Sequence, residues 1–214
     1  MPKETFLNLG EEKQENIMRA AISKFSSLGY EKSNMGDISK TAGVAKGSMY
    51  QYFENKKELF LYSIQWCIDL LMKKYNKFII SPDKNINIFD YLYDSSKEII
   101  VQMREEREAV IFIQEVFLGR YKNIMDESMD YILKATDQYV LNFINQGKKN
   151  GYIREDIDDK LLCLYITGVS FKFKEYIINR AKSMGQEIID EPFDEYEKEI
   201  KSMIELMKNG MGRS

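Results

Sequence analysis

Two glycines, Gly29 and Gly43, cut the N-terminal part of this chain into helices of very unequal length, and that punctuation limits what can follow. Upstream of the first, apolar residues recur at Ile17, Ala21, Phe25 and Leu28, the spacing of one buried stripe on a helix from Glu11 to Leu28. Gly29 suits the left-handed stop of that helix. Asn34 then precedes Met35, with Asp37 three residues on, a capping-box-like start to a second helix. This one runs only from Met35 to about Ala42, where Gly43 ends it. A third begins near Ala45 or Lys46 and stops by Phe53. Asn55 caps a long fourth, through Leu59, Tyr62, Trp66 and Leu70 to about Phe78.

The rest of the chain is helical too. After a break at 81–85 (SPDKN), helical patterns cover roughly 86–104, 107–119, 125–148, 158–183 and 193–208, making nine helices, with a frayed tail NGMGRS. Only three prolines interrupt the chain, and alternation of the strand type appears nowhere at length. The fold class is all-α: a small N-terminal head, residues 1–55, on a larger helical body, residues 56–214. There is no internal repeat.

Several kinds of chemistry are excluded. Histidine is absent, which removes Ser-His-Asp and Cys-His nucleophile pairs and the usual imidazole metal sites. Cys67 and Cys163 lie far apart in apolar surroundings, as two buried thiols of a reducing compartment would. Neither a signal peptide nor an apolar run of about 20 residues is present, so a cytoplasmic protein with no membrane partner is expected. No cofactor or metal is expected either. The net charge of −3 is uneven: residues 1–57 carry nine Lys and Arg against seven Asp and Glu, the remainder 22 against 27. A weakly basic head on an acidic body points modestly towards a polyanion.

Two short helices across a glycine turn form the skeleton of a helix-turn-helix. Ile38, Met49 and Phe53 supply the apolar faces that pack against Phe25, and Ala42 and Val44 turn inward. With those positions spent on the core, Lys46, Gly47, Ser48, Tyr50, Gln51 and Tyr52 point outward. Such a surface meets DNA: ammonium groups and hydroxyls reach phosphates, ring faces meet thymine methyls, and glycine allows close approach. Tyr52 has a second option, packing against the fourth helix. Lys57, beside Glu58, reads as a solvated lysine.

The stretch AAISKFSSLGYEKSNMGDISKTAGVAKGSMYQYFENKKELF, Ala20 to Phe60, resembles the TetR (tetracycline-repressor) family of bacterial transcription regulators. The features that carry the likeness are AA…F…GY, then D-I, then A-G-V-x-K-G-x-x-Y-x-Y-F, then K-x-x-L. They cover about a fifth of the chain, in the right order. Ala45 departs from the serine frequent there, so the third helix lacks a side-chain N-cap, a loss of about 1 kcal/mol. The resemblance implies a phosphate contact at Asn34, and Lys46, Gly47 and Tyr50 against the major groove. Gln51 becomes the candidate base reader, since its amide pairs bidentately with adenine. Tyr52 and Lys56 would clamp the backbone.

For the body, the resemblance implies a small-molecule pocket and a homodimer. Aromatic walls with polar anchors suit a pocket, and the candidates are Trp66, Tyr93, Met103, Phe112, Phe117, Tyr139, Phe143 and Tyr165 with Gln114 and Glu115. Each of these aromatics has plain core as its other reading. The last two helices carry apolar stripes, Leu161, Leu164, Gly168 and Phe171 on one and Phe193, Tyr196, Ile200, Met203, Ile204 and Met207 on the other. Their expected use is a four-helix dimer interface, with burial inside the chain as the alternative. The expectation is thus a dimeric DNA-binding regulator, most simply a repressor released from a palindromic double-stranded operator by an unidentified small-molecule effector. The alternatives are a helical enzyme with a DNA-binding head, and a regulator without an effector.

Overall fold

The structure, a computed structural model, describes residues 1–79, 87–121 and 124–211, so the expected break at 81–85 and the end of the tail lie outside the described residues. The helices are α1 (Glu4–Leu7), α2 (Glu11–Lys32), α3 (Met35–Thr41), α4 (Lys46–Tyr52), α5 (Lys56–Ile79), α6 (Ile88–Met103), α7 (Arg107–Phe117), α8 (Met125–Lys149), α9 (Asp159–Ser183) and α10 (Asp194–Met211). Among the described residues, 3-10 turns are also formed at Arg104–Glu106 and Ile188–Asp190. The all-α expectation holds. What the sequence reading lacked is α1, whose four residues are too few to show a period.

The chain divides into two compact units, Met1–Leu71 with Glu108–Leu133, and Met72–Arg107 with Lys134–Ser214. In the first, α2 buries Ile17, Met18, Ala21, Ile22 and Phe25, while Leu28 is 42% exposed, so the stripe ends one turn earlier than expected. At Gly29 the backbone takes φ +78°, the left-handed break anticipated there. Asn34 caps α3: its Oδ1 accepts from the Asp37 N–H at 2.9 Å. Gly43, at φ +68°, turns the chain, and the Val44 N–H closes the turn on the Ser39 carbonyl at 2.9 Å. Helix α4 has no side-chain cap at Ala45, as foreseen. Asn55 caps α5 by accepting from the Glu58 N–H at 2.9 Å.

Helices of seven residues are not stable alone, so α3 and α4 depend on the surface they pack against. Ile38, Met49 and Phe53 are fully buried, as predicted. Phe25 meets Phe60 edge to face at 4.9 Å, and Phe60 meets Phe112 at 5.6 Å and Tyr121 at 5.0 Å. The Tyr121 hydroxyl donates to the Phe25 carbonyl at 3.3 Å, and burial holds its phenol above the ordinary pKa, so it stays a neutral donor. The compact unit therefore extends beyond the span 1–55. It takes in the start of α5, and α7 with Tyr121, because those elements supply the rings that close over Phe25.

In the second unit, Ile88 and Phe89 of α6 pack with Ile144 of α8, Leu162, Ile166 and Ile177 of α9, and the apolar stripe of α10. Gly147 leaves room here for the buried Ile153: a Cβ at that position would stand 2.4 Å from Ile153 Cδ1, and the isoleucine would have to shift. Asp158 caps α9 by accepting from the Lys160 and Leu161 N–H groups at 3.0 and 3.3 Å. Tyr93 donates to Glu197 across α6 and α10, which with Lys201 holds the Glu197 carboxyl below its usual range. Cys67 and Cys163 are both buried and unbridged. Among the described residues no helix is long and apolar enough to cross a membrane.

The ring cluster makes a prediction. Phe112→Ala should lower the unfolding free energy by about 3–5 kcal/mol, the cost typical of emptying an aromatic core site. A fragment of residues 1–55, which lacks Phe60, Phe112 and Tyr121, should be unfolded by circular dichroism. A folded fragment would show that α2–α4 need no platform.

Candidate nucleic-acid interface

Helix α4 presents one face inward and one outward. Met49 and Tyr52 are 0% and 7% exposed, whereas Lys46, Gly47, Tyr50 and Gln51 are exposed and Ser48 is half-buried. The faces follow from the spacing, since positions three apart share a side of a helix. At Gly47 an added Cβ would have nothing within 4 Å. The fold does not need a glycine there; only something brought in from outside would. The Lys46 stem lies close to the start of α3, its Cδ and Cε 3.7 and 3.8 Å from where a Gly36 Cβ would be. The Asn34 Oδ1 lies 3.2 Å from the same point, so exposed Asn34 and Lys46 form one patch. Asn34 also donates to Asp37 Oδ2 at 2.6 Å, which fixes its amide.

Two of the expected contacts are placed otherwise. Tyr52 is not on the outer face: its ring packs against Phe6 with centroids 6.0 Å apart. Its ring partner is thus in α1, where the expected alternative was packing against α5. Lys56 is also committed. Its ammonium donates to the Tyr30 carbonyl at 2.7 Å and the Glu31 carbonyl at 3.2 Å, and sits 4.3 Å from the centre of the Tyr30 ring. Burial, then the neighbouring Glu31 carboxylate, raises the Tyr30 phenol's pKa, so that ring stays neutral under the cation. Lys56 caps the end of α2. Lys57, read as solvated, pairs with Glu127 at 2.6 Å.

The sequence reading also missed the donors at the far end of α4. The Lys3 N–H donates to the Tyr52 carbonyl at 2.9 Å, the Lys3 ammonium to the Tyr50 carbonyl at 2.9 Å, and the Thr5 hydroxyl to the Gln51 carbonyl. A lone buried phenylalanine, Phe6, was the available signal, and it carries no period.

The ten residues expected around an effector do not come together in one unit. Trp66, Phe112, Gln114, Glu115 and Phe117 belong to the first, and Tyr93, Met103, Tyr139, Phe143 and Tyr165 to the second. Phe112 is spent in the ring cluster. Glu115 pairs with Arg120 and accepts from the Tyr121 hydroxyl at 3.1 Å. Tyr93 lines an open groove of about 730 Å³ with Phe89, Lys201 and Leu206, while Tyr165 is 40% exposed.

The expected interface residues separate just as clearly. On α10, Phe193, Tyr196, Ile200, Ile204 and Met207 are buried in the core of their own unit, and Met203 is half-buried against it. Those positions are taken, because α6 and the inner face of α9 cover them. On α9, Leu161 and Leu164 are 59% and 63% exposed, Gly168 is exposed and Phe171 half-buried. Tyr165 on the same side of α9 and Leu206 of α10 are 40% and 69% exposed.

Residues 17–62 match the family model described as bacterial regulatory proteins, tetR family. The chain is 26% identical over 178 residues to IcaR of Staphylococcus aureus, described as the HTH-type negative transcriptional regulator of the biofilm operon icaADBC, covering 79% of this chain and 91% of that one. Among solved structures, a TetR family transcriptional regulator from Chloroflexus aurantiacus is 24% identical, with both chains fully covered and a TM-score of 0.53. FadR from Bacillus subtilis, solved with stearoyl-CoA, is 18% identical, with coverage of 92% and 98% and a TM-score of 0.63. At such identities the structural likenesses speak for the fold.

The two lysines should behave differently when removed. Lys46→Ala should flatten the salt dependence of DNA binding; with two copies in a complex, the log–log slope should change by roughly 1.8. Lys56→Ala should leave that slope unchanged and instead lower stability by about 1 kcal/mol, through the lost cap on α2. Fluorescence titrations at several salt concentrations and urea unfolding check both. A slope change for Lys56→Ala would mean that its ammonium leaves α2 for a phosphate.

Proposed function

Since this chain belongs to the TetR family of bacterial regulatory proteins, we propose that it represses transcription as a homodimer bound to a two-fold operator. The observation that carries the reading is the exposed face of α4, where Lys46, Gly47, Tyr50 and Gln51 stand clear of the core. Lys46 and Asn34 hold the backbone, Tyr50 lies against the groove wall, and Gln51 reads a base edge. Negative regulation is stated for the Staphylococcus relative and fits a protein that blocks a promoter by occupying it. Two such heads would sit in successive major grooves, about 34–36 Å apart.

The dimer is assigned to the outer face of α9. Leu161, Leu164 and Tyr165 are large apolar groups left in water, and Gly168, one turn further along the same side, lets a partner helix come close. A small effector in the body would release the operator by binding better to a state whose heads no longer match that spacing. The engagement of Phe112 in the ring cluster and of Glu115 with Arg120 favours a second reading, a regulator without an effector. Screening small molecules for release of the bound operator separates the two. Selection of a duplex from a random pool, followed by footprinting, tests the proposal as a whole, and a protein that selects no sequence would end it.

Gly47→Ala offers a sharp discriminator. Alanine should stabilise α4 by about 0.5–1 kcal/mol in the free protein. The same methyl should stand in the path of the duplex and weaken operator binding about tenfold, about 1.4 kcal/mol. A variant both more stable and equally tight would take Gly47 off the contact face. For the dimer, Leu161→Glu with Leu164→Glu should give a folded monomer by light scattering, because neither side chain is buried in its own unit. Its operator affinity should fall towards that of one half-site, since the second head is no longer held nearby. Ile200→Glu should instead unfold the second unit, where Ile200 is 5% exposed. A double variant that remains dimeric would put the interface elsewhere.

A further inference from the structure

Helix α4 has seven residues, no side-chain N-cap and, among the described residues, no covering element on its outer face. Its last carbonyls have no partner within the helix beyond the one bond from the Phe53 N–H to the Met49 carbonyl, at 2.8 Å. The next three, those of Tyr50, Gln51 and Tyr52, are all met from one place. The Lys3 ammonium takes Tyr50, the Thr5 hydroxyl takes Gln51, and the Lys3 N–H takes Tyr52. Phe6 pins this segment down. It is 0% exposed, with its ring 6.0 Å from Tyr52, 4.8 Å from Phe53 and 5.6 Å from Tyr62.

We infer that residues 3–6 form a strap that sets the orientation of the groove-reading turn, with Lys3 and Thr5 as positioning residues for Tyr50 and Gln51. This rests on the DNA-binding reading for its consequence but not for its geometry. The two carbonyls held by side-chain donors belong to the residues whose own side chains would read the groove. A peptide plane fixed at its carbonyl restricts ψ of the residue that carries it, and so limits where its side chain can point. Lysine is the right type at this end, because a cation there also complements the negative end of the helix dipole. Threonine suits its place because a hydroxyl donates without bringing a charge. Lys3 spends its ammonium on α4 and therefore adds specificity, where a phosphate contact would add affinity for any duplex.

The test uses the full chain carrying Lys3→Met with Thr5→Val, which removes both side-chain donors and leaves Phe6 and the Lys3 N–H position in place. Hydrogen exchange on the free protein should be about tenfold faster at the amides of Met49 to Phe53, and unchanged in α2. Binding to the duplex that the wild-type protein selects from a random pool should weaken about tenfold, while binding to an unrelated duplex and the salt slope stay as they were. Lys3→Arg with Thr5→Ser, which keeps a donor at each place, should restore both readouts. Unchanged exchange in α4 would overturn the strap whether or not the protein reads DNA, because that measurement contains none. Equal losses on both duplexes, or a salt slope lowered by roughly 1.8, would overturn it in favour of a direct phosphate contact by Lys3. Should the double variant unfold, Thr5→Val alone, which is nearly isosteric, answers the same question at the Gln51 carbonyl.

Discussion

The contact of Phe25 with Phe60, edge to face at 4.9 Å, is what the helix-turn-helix of this chain rests on. One ring comes from the helix before the motif and the other from the helix after it. Between them hang two helices of seven residues, each below the length at which a helix holds itself together. Their conformation is therefore a property of the platform. Phe112 and Tyr121 close the same cluster from α7 and just beyond it, so the compact unit takes in residues far beyond the end of the motif at residue 53. Rings in contact at these distances leave little free space, and close-packed interiors transmit small shifts.

The second constraint concerns where cations go. A lysine ammonium is attracted by a phosphate, but also by the carbonyls at the end of a helix. Lys56 is used on α2 and Lys3 on α4, and Lys57 is paired with Glu127. The basic character of the head is thus partly structural, and the phosphate contacts available to α4 are few. A protein with few such contacts gains less from non-specific attraction. On the proposed reading, preference for an operator would then depend on how well Tyr50 and Gln51 are held, which would give the C-terminal turn of α4 more weight than its length implies.

Much of this was legible in the sequence. Helix ends were marked by groups whose geometry is local: Gly29 and Gly43 at positive φ, Asn34 and Asn55 as caps, Ala45 as a missing one. The outward set on α4 followed from spacing, except at Tyr52. That exception, and Lys56, share a cause. Both side chains are claimed by partners distant in sequence, Phe6 and the Tyr30 carbonyl, and no local pattern announces a partner 46 or 26 residues away. Helix α1 was invisible because four residues make barely one turn. The pocket candidates were chosen as aromatic, and aromaticity does not distinguish a wall from a core; Phe112 is core.

The stripes on the last two helices show the same limit from another side. A stripe says that something covers it and does not say what. On α10 the cover is α6 with the inner face of α9, and five of its six apolar positions are buried within the unit. Helix α9 is apolar on both sides, with Leu162, Cys163 and Ile166 inward and Leu161, Leu164 and Tyr165 outward. Only the inward set is needed to fold the unit. An outward leucine gains nothing for a lone chain that a lysine or glutamate would not supply with better solubility. Two of them one turn apart on a capped helix of 25 residues, with Gly168 one turn further along, form the surface on which the proposed two-fold contact would be built.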